Sequence, residues 1–533
     1  MSVSVIIPAY RDAASVGETV RAARTLPGVT EVIVVDDGSG DDTAVVAHQA
    51  GADRVIELAR NMGKGAALRV GLEAARGDRV LFLDADLRAS AARAEPLLEA
   101  IGSEAAMAIA VFPRQAGAGG GFGIARGLGR AVIRLFGGLA VAEPLSGQRA
   151  LPAALARHLG LAPRFGVETA LTVEAAHLGI PIREVPLPLH HQPTGRTVSG
   201  FVHRFRQFRD ILRFALLLSY GLGWPALPGR AVVRRAALWA GGIAALCAAA
   251  GWVQPTAGRV TAVAALAAIV LWLPCLWLTA VELGLRKPNY LGRALPAAAG
   301  LVVPMVALPA TWFLPALPAQ RAALLVAVGL LGAAGLLDDA YASRRRARGL
   351  RGHLGALVRG RVTTGAVKAG AGLLAGAVAG YLLEGRQAVL VALDALLVAL
   401  CANLVNLLDL RPGRALKGWG ALCALAAAFH PGALALIGPA GAAALVAAPA
   451  DLAGRVMLGD VGANTLGATA GLALARALPP AARVGAVALL AIVHLACERV
   501  SLSDIIARNH VLRALDRLGT ASLPSFPPAG AQP

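Results

Sequence analysis

From about residue 236 onward this chain is built of apolar runs of 17–25 residues, rich in Ala, Leu, Val and Gly. A helix of that length matches the roughly 30 Å hydrocarbon core of a bilayer. The second half is therefore expected to be an all-α polytopic membrane domain of about ten helices. The candidate spans are 236–252, 260–283, 295–313, 320–337, 366–384, 388–406, 417–430, 432–449, 464–478 and 482–498. Residues 1–229 differ abruptly, mixing charged, polar and apolar groups as a soluble α/β domain does. At 533 residues the chain is too long for one ordinary domain. Its start, MSVSVIIPAYRD, lacks a basic segment followed by an apolar stretch and a small-residue cleavage site, so the first domain is expected to stay in the cytoplasm.

The formal charge is +19, but its distribution argues against a nucleic-acid partner, because many Lys and Arg lie in short loops between apolar runs. With alternating spans and a cytoplasmic start, nineteen basic residues fall on the inner side, including Arg286, Lys287, the Arg344–Lys368 group and Arg414, against five outside. The positive-inside rule favours this orientation, in a cytoplasmic (inner) membrane with the N-terminal domain and C-terminus inside. All five cysteines lie in apolar runs without CxxC spacing, which excludes a zinc site and a disulfide framework and leaves them as small core residues. Residues 201–235 form the connection. Within it, 201–218 interleaves Phe201, Phe205, Phe208 and Leu212 with Arg204, Arg206, Arg209 and Arg213, the pattern of a basic helix lying in a membrane interface or of an ordinary domain helix.

Three apolar runs in the first domain end in acid or turn residues. Val3–Pro8 is a buried strand, with an amphipathic helix expected near 13–25. Val32–Val35 runs into Asp36-Asp37-Gly38-Ser39, and Val80–Leu83 into Asp84-Ala85-Asp86. Strands alternating with helices imply a mostly parallel sheet, whose ligands bind beyond the carboxyl ends of the strands. Asp-x-Asp after a strand supplies oxygen ligands for Mg²⁺ or Mn²⁺, which neutralises a pyrophosphate and acts as Lewis acid on a leaving diphosphate.

In this order and spacing, Val5-Ile-Ile-Pro-Ala-Tyr10, Val34-Val-Asp-Asp-Gly-Ser39, Asn61-Met-Gly-Lys-Gly-Ala-Ala67 and Asp84-Ala-Asp86 resemble the family 2 glycosyltransferases of GT-A fold, nearest to polyprenyl-phosphate hexose synthases, over residues 1–215. The resemblance implies a base pocket lined by Pro8 and Asp37 with Asp36 in support, Lys64 near the nucleotide, Asp84 by the ribose or diphosphate, and Asp86 on the metal, with Asp84 a further ligand. Ser146-Gly-Gln148-Arg149 and Phe165-Gly-Val-Glu168 resemble the acceptor side. A phosphate acceptor needs no base; a sugar hydroxyl would call on a carboxylate such as Glu168, which is otherwise a structural carboxylate. Gly117–Gly123 is expected to be a mobile acceptor loop rather than a phosphate cradle.

In the second half, acids and amides gather at the ends of the runs that the charge count places inside: Asp338-Asp339, Asn403-x-x-Asn406-x-x-Asp409, Asp460, and the looser His494/Glu498 pair. Polar groups near a bilayer call for a function. Asn403, Asn406 and Asp409 would form one polar stripe at a helix end. Arg286-Lys-Pro-Asn289, Gly335-Leu-Leu-Asp-Asp339, Asn403–Asp409 and Leu458-Gly-Asp-Val-Gly462 occur in the order of the polyprenyl-phosphate N-acetylhexosamine-1-phosphate transferases, the phospho-MurNAc-pentapeptide translocase superfamily, over about 236–500. That resemblance implies Mg²⁺-dependent attack of a polyprenyl phosphate on a UDP-amino sugar, with Asp338, Asp339 and Asp409 central, Asp338 and Asp409 on the metal, and Lys368 attracting phosphate. Two departures stand out: Leu410-Arg-Pro-Gly413 replaces the usual Gly-x-Asp-Gly, and the histidine-rich motif is reduced to His494 and Glu498.

The joint expectation is a membrane-bound bifunctional glycosyltransferase of cell-envelope glycolipid assembly. Its cofactor is Mg²⁺ or Mn²⁺, and its partners are nucleotide sugars, polyprenyl phosphate and the membrane, with a homo-oligomer left open. The alternatives keep only the N-terminal transferase active, with the membrane half a lipid-acceptor platform or a flippase-like module. Transport would place polar groups near span midpoints, whereas here they sit at the ends. Residues 501–533 are expected to be a cytoplasmic tail, disordered from Pro524.

Overall fold

The computed structural model describes residues 2–102, 105–112, 124–159, 161, 166–189, 198–219, 229–288, 294–341, 359, 363–518 and 520. The chain divides into two units, one spanning Met1–Leu218 and the other Pro228–Leu523. The acceptor-loop segment Gly117–Gly123, Phe165, Asn289, most of the Arg344–Arg361 loop and the Pro524–Pro533 tail lie outside the described residues.

In the first unit seven strands form one sheet: β1 (Val3–Ala9), β2 (Val29–Asp36), β3 (Arg54–Glu57), β4 (Arg79–Phe82), β5 (Met107–Val111), β6 (Arg149–Pro152) and β7 (Ile182–Pro186). Their order is β3-β2-β1-β4-β6-β5-β7, and every pairing is parallel except those of β6 with β4 and β5. β1 and β2 are continuous apolar runs because both faces of a parallel strand are covered; Val5, Ile6, Ile7 and Val32–Val35 are all fully buried. One face packs on helix Val16–Arg24 and helix Glu95–Ile101 through Val20, Ala23, Leu97 and Ile101. The other receives helix Lys64–Ala74, where Gly71 sits so close to Ile6 that a Cβ would lie 2.4 Å from Ile6 Cγ2.

This order sets the site. From β1 the chain winds outward through β2 and β3, then returns to place β4 on the other side of β1. The switch point between β1 and β4 leaves a crevice beyond the strand ends. Register aligns Ala9 with Asp36 and Ile6 with Phe82, so the residues after β1, β2 and β4 emerge together. Edge strands β3 and β7 are only partly buried and carry no unbroken apolar run, which is why sequence periodicity does not single them out. Helix Val198–Ser219 buries Ile211, Phe214 and Leu218 and leaves Phe205, Leu212 and Leu216 exposed beside Arg209 and Arg213.

Among the described residues the second unit's regular structure is helical apart from a two-stranded antiparallel ladder, Arg286–Pro288 with Ala294–Pro296, which the all-α expectation did not include. Six of its described helices are long and apolar enough to cross a membrane: Pro255–Glu282, Pro318–Tyr341, Thr364–Glu384, Ala388–Leu408, Ala433–Leu452 and Pro480–Cys497. The other expected spans are helical but shorter or more polar, as in Val302–Thr311, Arg414–Phe429 and Gly459–Ala477. Helix Gly459–Ala477 is buried along almost its whole length, which lets Thr465, Thr469 and Asn464 sit in it away from lipid. Small residues bring the neighbouring backbones close: a Cβ on Gly335 would lie 2.5 Å from the Asp460 carbonyl oxygen, and one on Gly467 2.4 Å from Ala402 Cα.

Candidate active site

Beyond the ends of β1, β2 and β4 the polar side chains are joined into one network. Asp36 is buried and accepts from Ser39 N at 3.0 Å and from the Ser39 hydroxyl, whose oxygen in turn accepts from Arg11 N at 2.8 Å. The carboxylate of Asp37 accepts from Met62 N and Gly63 N at 2.7 and 2.8 Å, holding the loop that leads into helix Lys64–Ala74. Gly38, at φ +71°, is required here because a Cβ would lie 2.6 Å from the Arg60 carbonyl carbon. The Asp-Asp-Gly-Ser signature is thus a loop clamp as well as a strand end. Pro8 sits half-buried near the end of β1.

Lys64 opens its helix at the centre of this network. Its Nζ lies 2.6 Å from Asp84 Oδ1 and 2.9 Å from Glu168 Oε1. Burial works against its charge, but Asp84 and Glu168 outweigh it and raise the ammonium above its ordinary pKa. Gln148 is fully buried and donates to the other oxygen of Asp84 at 2.8 Å, while Ser146 Oγ donates to Gln148 Oε1 at 3.2 Å. Gly147 is fixed by space, since a Cβ there would fall 2.3 Å from Lys64 Nζ and 2.7 Å from Asp84 Oδ1. Arg149, also buried, donates to Ser146 O and Thr172 Oγ1, both at 2.9 Å; burial draws its pKa down to about 10, against the pull of Glu168. Glu168 Oε2 and Arg149 Nη2 are buried without hydrogen-bond partners.

The Asp84-Ala85-Asp86 turn is pinned by a residue that the sequence motifs do not flag. Thr19, fully buried, donates from Oγ1 to Ala85 O at 2.8 Å and accepts from Arg88 N at 2.8 Å. Arg88 follows in the left-handed region at φ +52°, a conformation a non-glycine residue adopts only when held. Asp12 faces the same place. Burial raises its pKa, a hydrogen bond from Tyr10 N opposes this, and the charges of Asp86, Asp84 and Asp41 raise it further. A surplus of negative potential with Asp86 half-exposed suits a divalent cation, and Mg²⁺ is commonly held by one or two carboxylates plus substrate phosphates. Asp84 and Asp86 are the residues that would hold it. Among the described residues, no group of three or more His, Cys, Asp or Glu is gathered closely enough to bind a metal without such help.

Residues 4–137 match the family model for glycosyl transferase family 2. The first unit carries a family 2 glycosyltransferase domain. The undecaprenyl-phosphate 4-deoxy-4-formamido-L-arabinose transferase of Pseudomonas paraeruginosa is 44% identical over 96 residues, 16% of this chain and 28% of that protein. The dolichyl-phosphate beta-glucosyltransferase of Drosophila melanogaster is 41% identical over 101 residues, 16% of this chain and 31% of that one. The chain thus spans less than a third of the length of these relatives. Glucosyl-3-phosphoglycerate synthase from Mycobacterium tuberculosis, solved with Mn²⁺, UDP-glucose and phosphoglyceric acid, is 29% identical with a TM-score of 0.35, covering 40% of this chain and 79% of that chain.

Beside the family 2 core, an open cavity of about 400 Å³ lies past β5, lined by Val111, Phe112, Arg126, Arg130, Ala142 and Glu143. Arg126 and Arg130 stand one turn apart on helix Ile124–Val132. Arg126 pairs with Glu143 at 2.9 Å, and Arg130 donates from Nε to Ala142 O at 3.1 Å.

The second unit assembles its own acid cluster at one end of its helices. Asp339 accepts from Asp460 N and Val461 N, both at 3.0 Å, and Asp409 accepts from Gly459 N at 2.8 Å. Two carboxylates therefore satisfy the first turn of helix Gly459–Ala477 and its positive dipole end. Lys287 Nζ lies 2.7 Å from Asp339 and 2.8 Å from Asp460; Lys368 Nζ lies 2.8 Å from Asp460 and 3.3 Å from Asp338. Asp338 meets Lys368 and Asp339 meets Lys287, because adjacent helical residues point in different directions.

Other expected members stand apart. Asn403 is exposed and Asn406 half-buried, whereas Asp409 turns inward, so the three do not act as one stripe. Asp409 ends its helix, and the chain leaves helical geometry there. His494 bonds through Nδ1 to the Leu490 carbonyl at 2.7 Å, four residues back on its own helix. Three buried groups went unremarked in the sequence: Asp451, which accepts from Gly413 N at 2.8 Å, and Asp394 with Arg483, 3.1 Å apart, where Arg483 also reaches Glu384 at 2.9 Å. A lone Asp inside the apolar run Ala388–Leu408 was the available signal for Asp394.

Proposed function

We propose that the first unit transfers a sugar from a nucleotide sugar to a polyprenyl phosphate, or an acceptor linked to it, with Mg²⁺ or Mn²⁺ held by Asp84 and Asp86. The observation that carries this is the Lys64–Asp84–Glu168–Gln148 network set beyond β4, which joins Lys64 and Asp84 of the matched family 2 segment to residues that follow it, in a chain whose matched relatives are named for undecaprenyl and dolichyl phosphates. When bound, the cation would neutralise the diphosphate and aid its departure. Lys64 and Gln148 grip opposite oxygens of Asp84 and fix the carboxylate's orientation. Thr19 fixes the peptide between Asp84 and Asp86. The Met62–Gly63 loop, clamped by Asp37, closes the nucleotide side.

A phosphate acceptor arrives already ionised and needs no base. Arg126 and Arg130 beside the apolar Val111 and Phe112 suit a phosphate head followed by a hydrocarbon chain. One oxygen of Glu168 is engaged by Lys64 and the other is buried, which favours an orienting over a proton-abstracting role. Ser146 and Arg149 act behind it, through Gln148 and Thr172.

For the second unit we propose ten crossings, inner ends at the Asp338–Asp460 cluster, in a cytoplasmic membrane. A sugar-1-phosphate transfer from a UDP-amino sugar to polyprenyl phosphate is the second activity, supported by acids and lysines converging from segments as distant as Lys287 and Asp460. The competing reading makes that cluster a structural lock and the unit a lipid-acceptor platform or flippase-like module.

The test supplies the purified chain in nanodiscs with undecaprenyl phosphate, Mn²⁺ and a panel of labelled nucleotide sugars. Label entering the lipid phase with release of nucleoside diphosphate is expected. Label confined to water-soluble products with every donor overturns the lipid-acceptor reading.

A further inference from the structure

The second unit ends in two short helices, Leu502–Arg508 and His510–Arg517, which none of the proposed chemistry uses. Asn509 joins them and caps the second, accepting from Val511 N and Leu512 N at 3.0 and 3.1 Å. Among the described residues, Arg414 and Lys417 fasten the pair to the bundle. Buried Arg414 donates from Nε and Nη2 to the two oxygens of Asp516 at 2.7 and 2.8 Å, and from Nη1 to Ser503 Oγ at 2.8 Å. Lys417 adds a bond to the Asp516 carbonyl at 2.6 Å. Bidentate Arg–carboxylate pairing fixes rotation as well as distance.

With Asp516 fixed, the other side chains of His510–Arg517 fall into sectors. At 3.6 residues per turn, Val511, Leu515 and Leu518 share one stripe, with Leu512 at its edge, roughly 110° round from Asp516. These four are 55, 50, 62 and 40% exposed and form one apolar display on the helix. Arg513 and Arg517, both exposed, occupy the opposite side, and Arg508 precedes them; Asp504 is the exposed acid nearby. One flank on protein, one apolar flank and one basic flank is the arrangement of a helix lying along a bundle in a membrane surface.

We propose that His510–Leu518 is a strap lying in the bilayer interface, with Val511, Leu512, Leu515 and Leu518 among the acyl chains and Arg513 and Arg517 among anionic headgroups. Two further facts favour lipid as the occupant. The preceding helix Pro480–Cys497 exposes Leu489, Ile492 and Leu495 and ends a few residues before the strap, which puts the strap beside a lipid-facing surface. The anchor Arg414 opens helix Arg414–Phe429 six residues after Leu408, the end of a span-length helix; Arg411 and Arg499 likewise follow the ends of span-length helices, and Arg508 closes the helix just before the strap. Exposed arginines at helix ends complement anionic lipid. The proposal stands independently of either transferase reading.

The experiment places a nitroxide at position 513 or 515 of the full chain (R513C or L515C, the five native cysteines replaced) in nanodiscs of phosphatidylcholine with or without phosphatidylglycerol. The 515 label should collide freely with oxygen and be shielded from a water-soluble nickel chelate, and the 513 label should show the reverse. Adding phosphatidylglycerol should slow the 513 label. Nickel access at both positions would place the strap in water and overturn the proposal. Shielding of 515 from both reagents would overturn it in favour of cover by protein, either residues 521–533 or a second copy. Equal mobility of the 513 label in both lipids would remove the headgroup contact.

Discussion

Both units gather lysines among aspartates, yet the two clusters are assembled differently. In the glycosyltransferase domain the acids stand where a parallel sheet delivers them, beyond β1, β2 and β4, and Asp84 and Asp86 remain partly exposed there. In the membrane unit the carboxylates close on the chain itself. Asp339 and Asp409 satisfy the first turn of helix Gly459–Ala477, and Lys287 and Lys368 bridge what remains. Acid placed by sheet topology is available to a ligand; acid placed at a buried helix end first answers the helix. The same residue types thus carry unequal weight as signs of catalysis.

The largest effect is expected at Asp86. Asp86→Asn should lower nucleoside diphosphate release by at least about a hundredfold while leaving thermal unfolding in place, since removing charge at the reacting centre removes a large electrostatic term. Next comes the helix end: Asp339→Asn or Asp409→Asn should destabilise the membrane unit by roughly 1–3 kcal/mol, the range for a charge-assisted buried hydrogen bond, visible as a lower melting temperature in detergent. If these variants melt like the parent chain, the structural reading of the second cluster fails.

Thr19→Val should weaken Mn²⁺·UDP binding several-fold by calorimetry, in line with about 1 kcal/mol for a buried hydrogen bond, and Thr19→Ser should restore it. An equal loss in both would make Thr19 a packing residue only. The smallest effect concerns pH. The folded value for Lys64 is raised, so its ion pairs are fully present below the ordinary lysine range and are lost only as pH climbs through that raised value. Between pH 6 and 9, Lys64 should therefore contribute no slope to stability, and Lys64→Met should shift the whole stability profile down without changing its shape there.

Much of this was legible in the chain. Pro8, Asp36, Asp37, Asp84 and Asp86 announce themselves because strand runs end in them, and the long apolar runs announce the helical unit. Thr19 does not, because its role comes from packing helix Val16–Arg24 under a turn 66 residues away. Lys287 looked like one more basic loop residue; only the fold brings it to Asp460, 173 residues on. Periodicity also cannot separate a buried central helix such as Gly459–Ala477 from a lipid-facing one, so among the described residues only six helices stand out by length and composition where ten spans were expected.

The most direct test of the central claim compares the parent chain, Asp86→Asn and Asp338→Asn in nanodiscs with undecaprenyl phosphate, Mg²⁺ or Mn²⁺ and nucleotide sugars, measuring UDP and UMP separately. The account predicts UDP release that is lost in Asp86→Asn and kept in Asp338→Asn. UDP release that survives Asp86→Asn would contradict it.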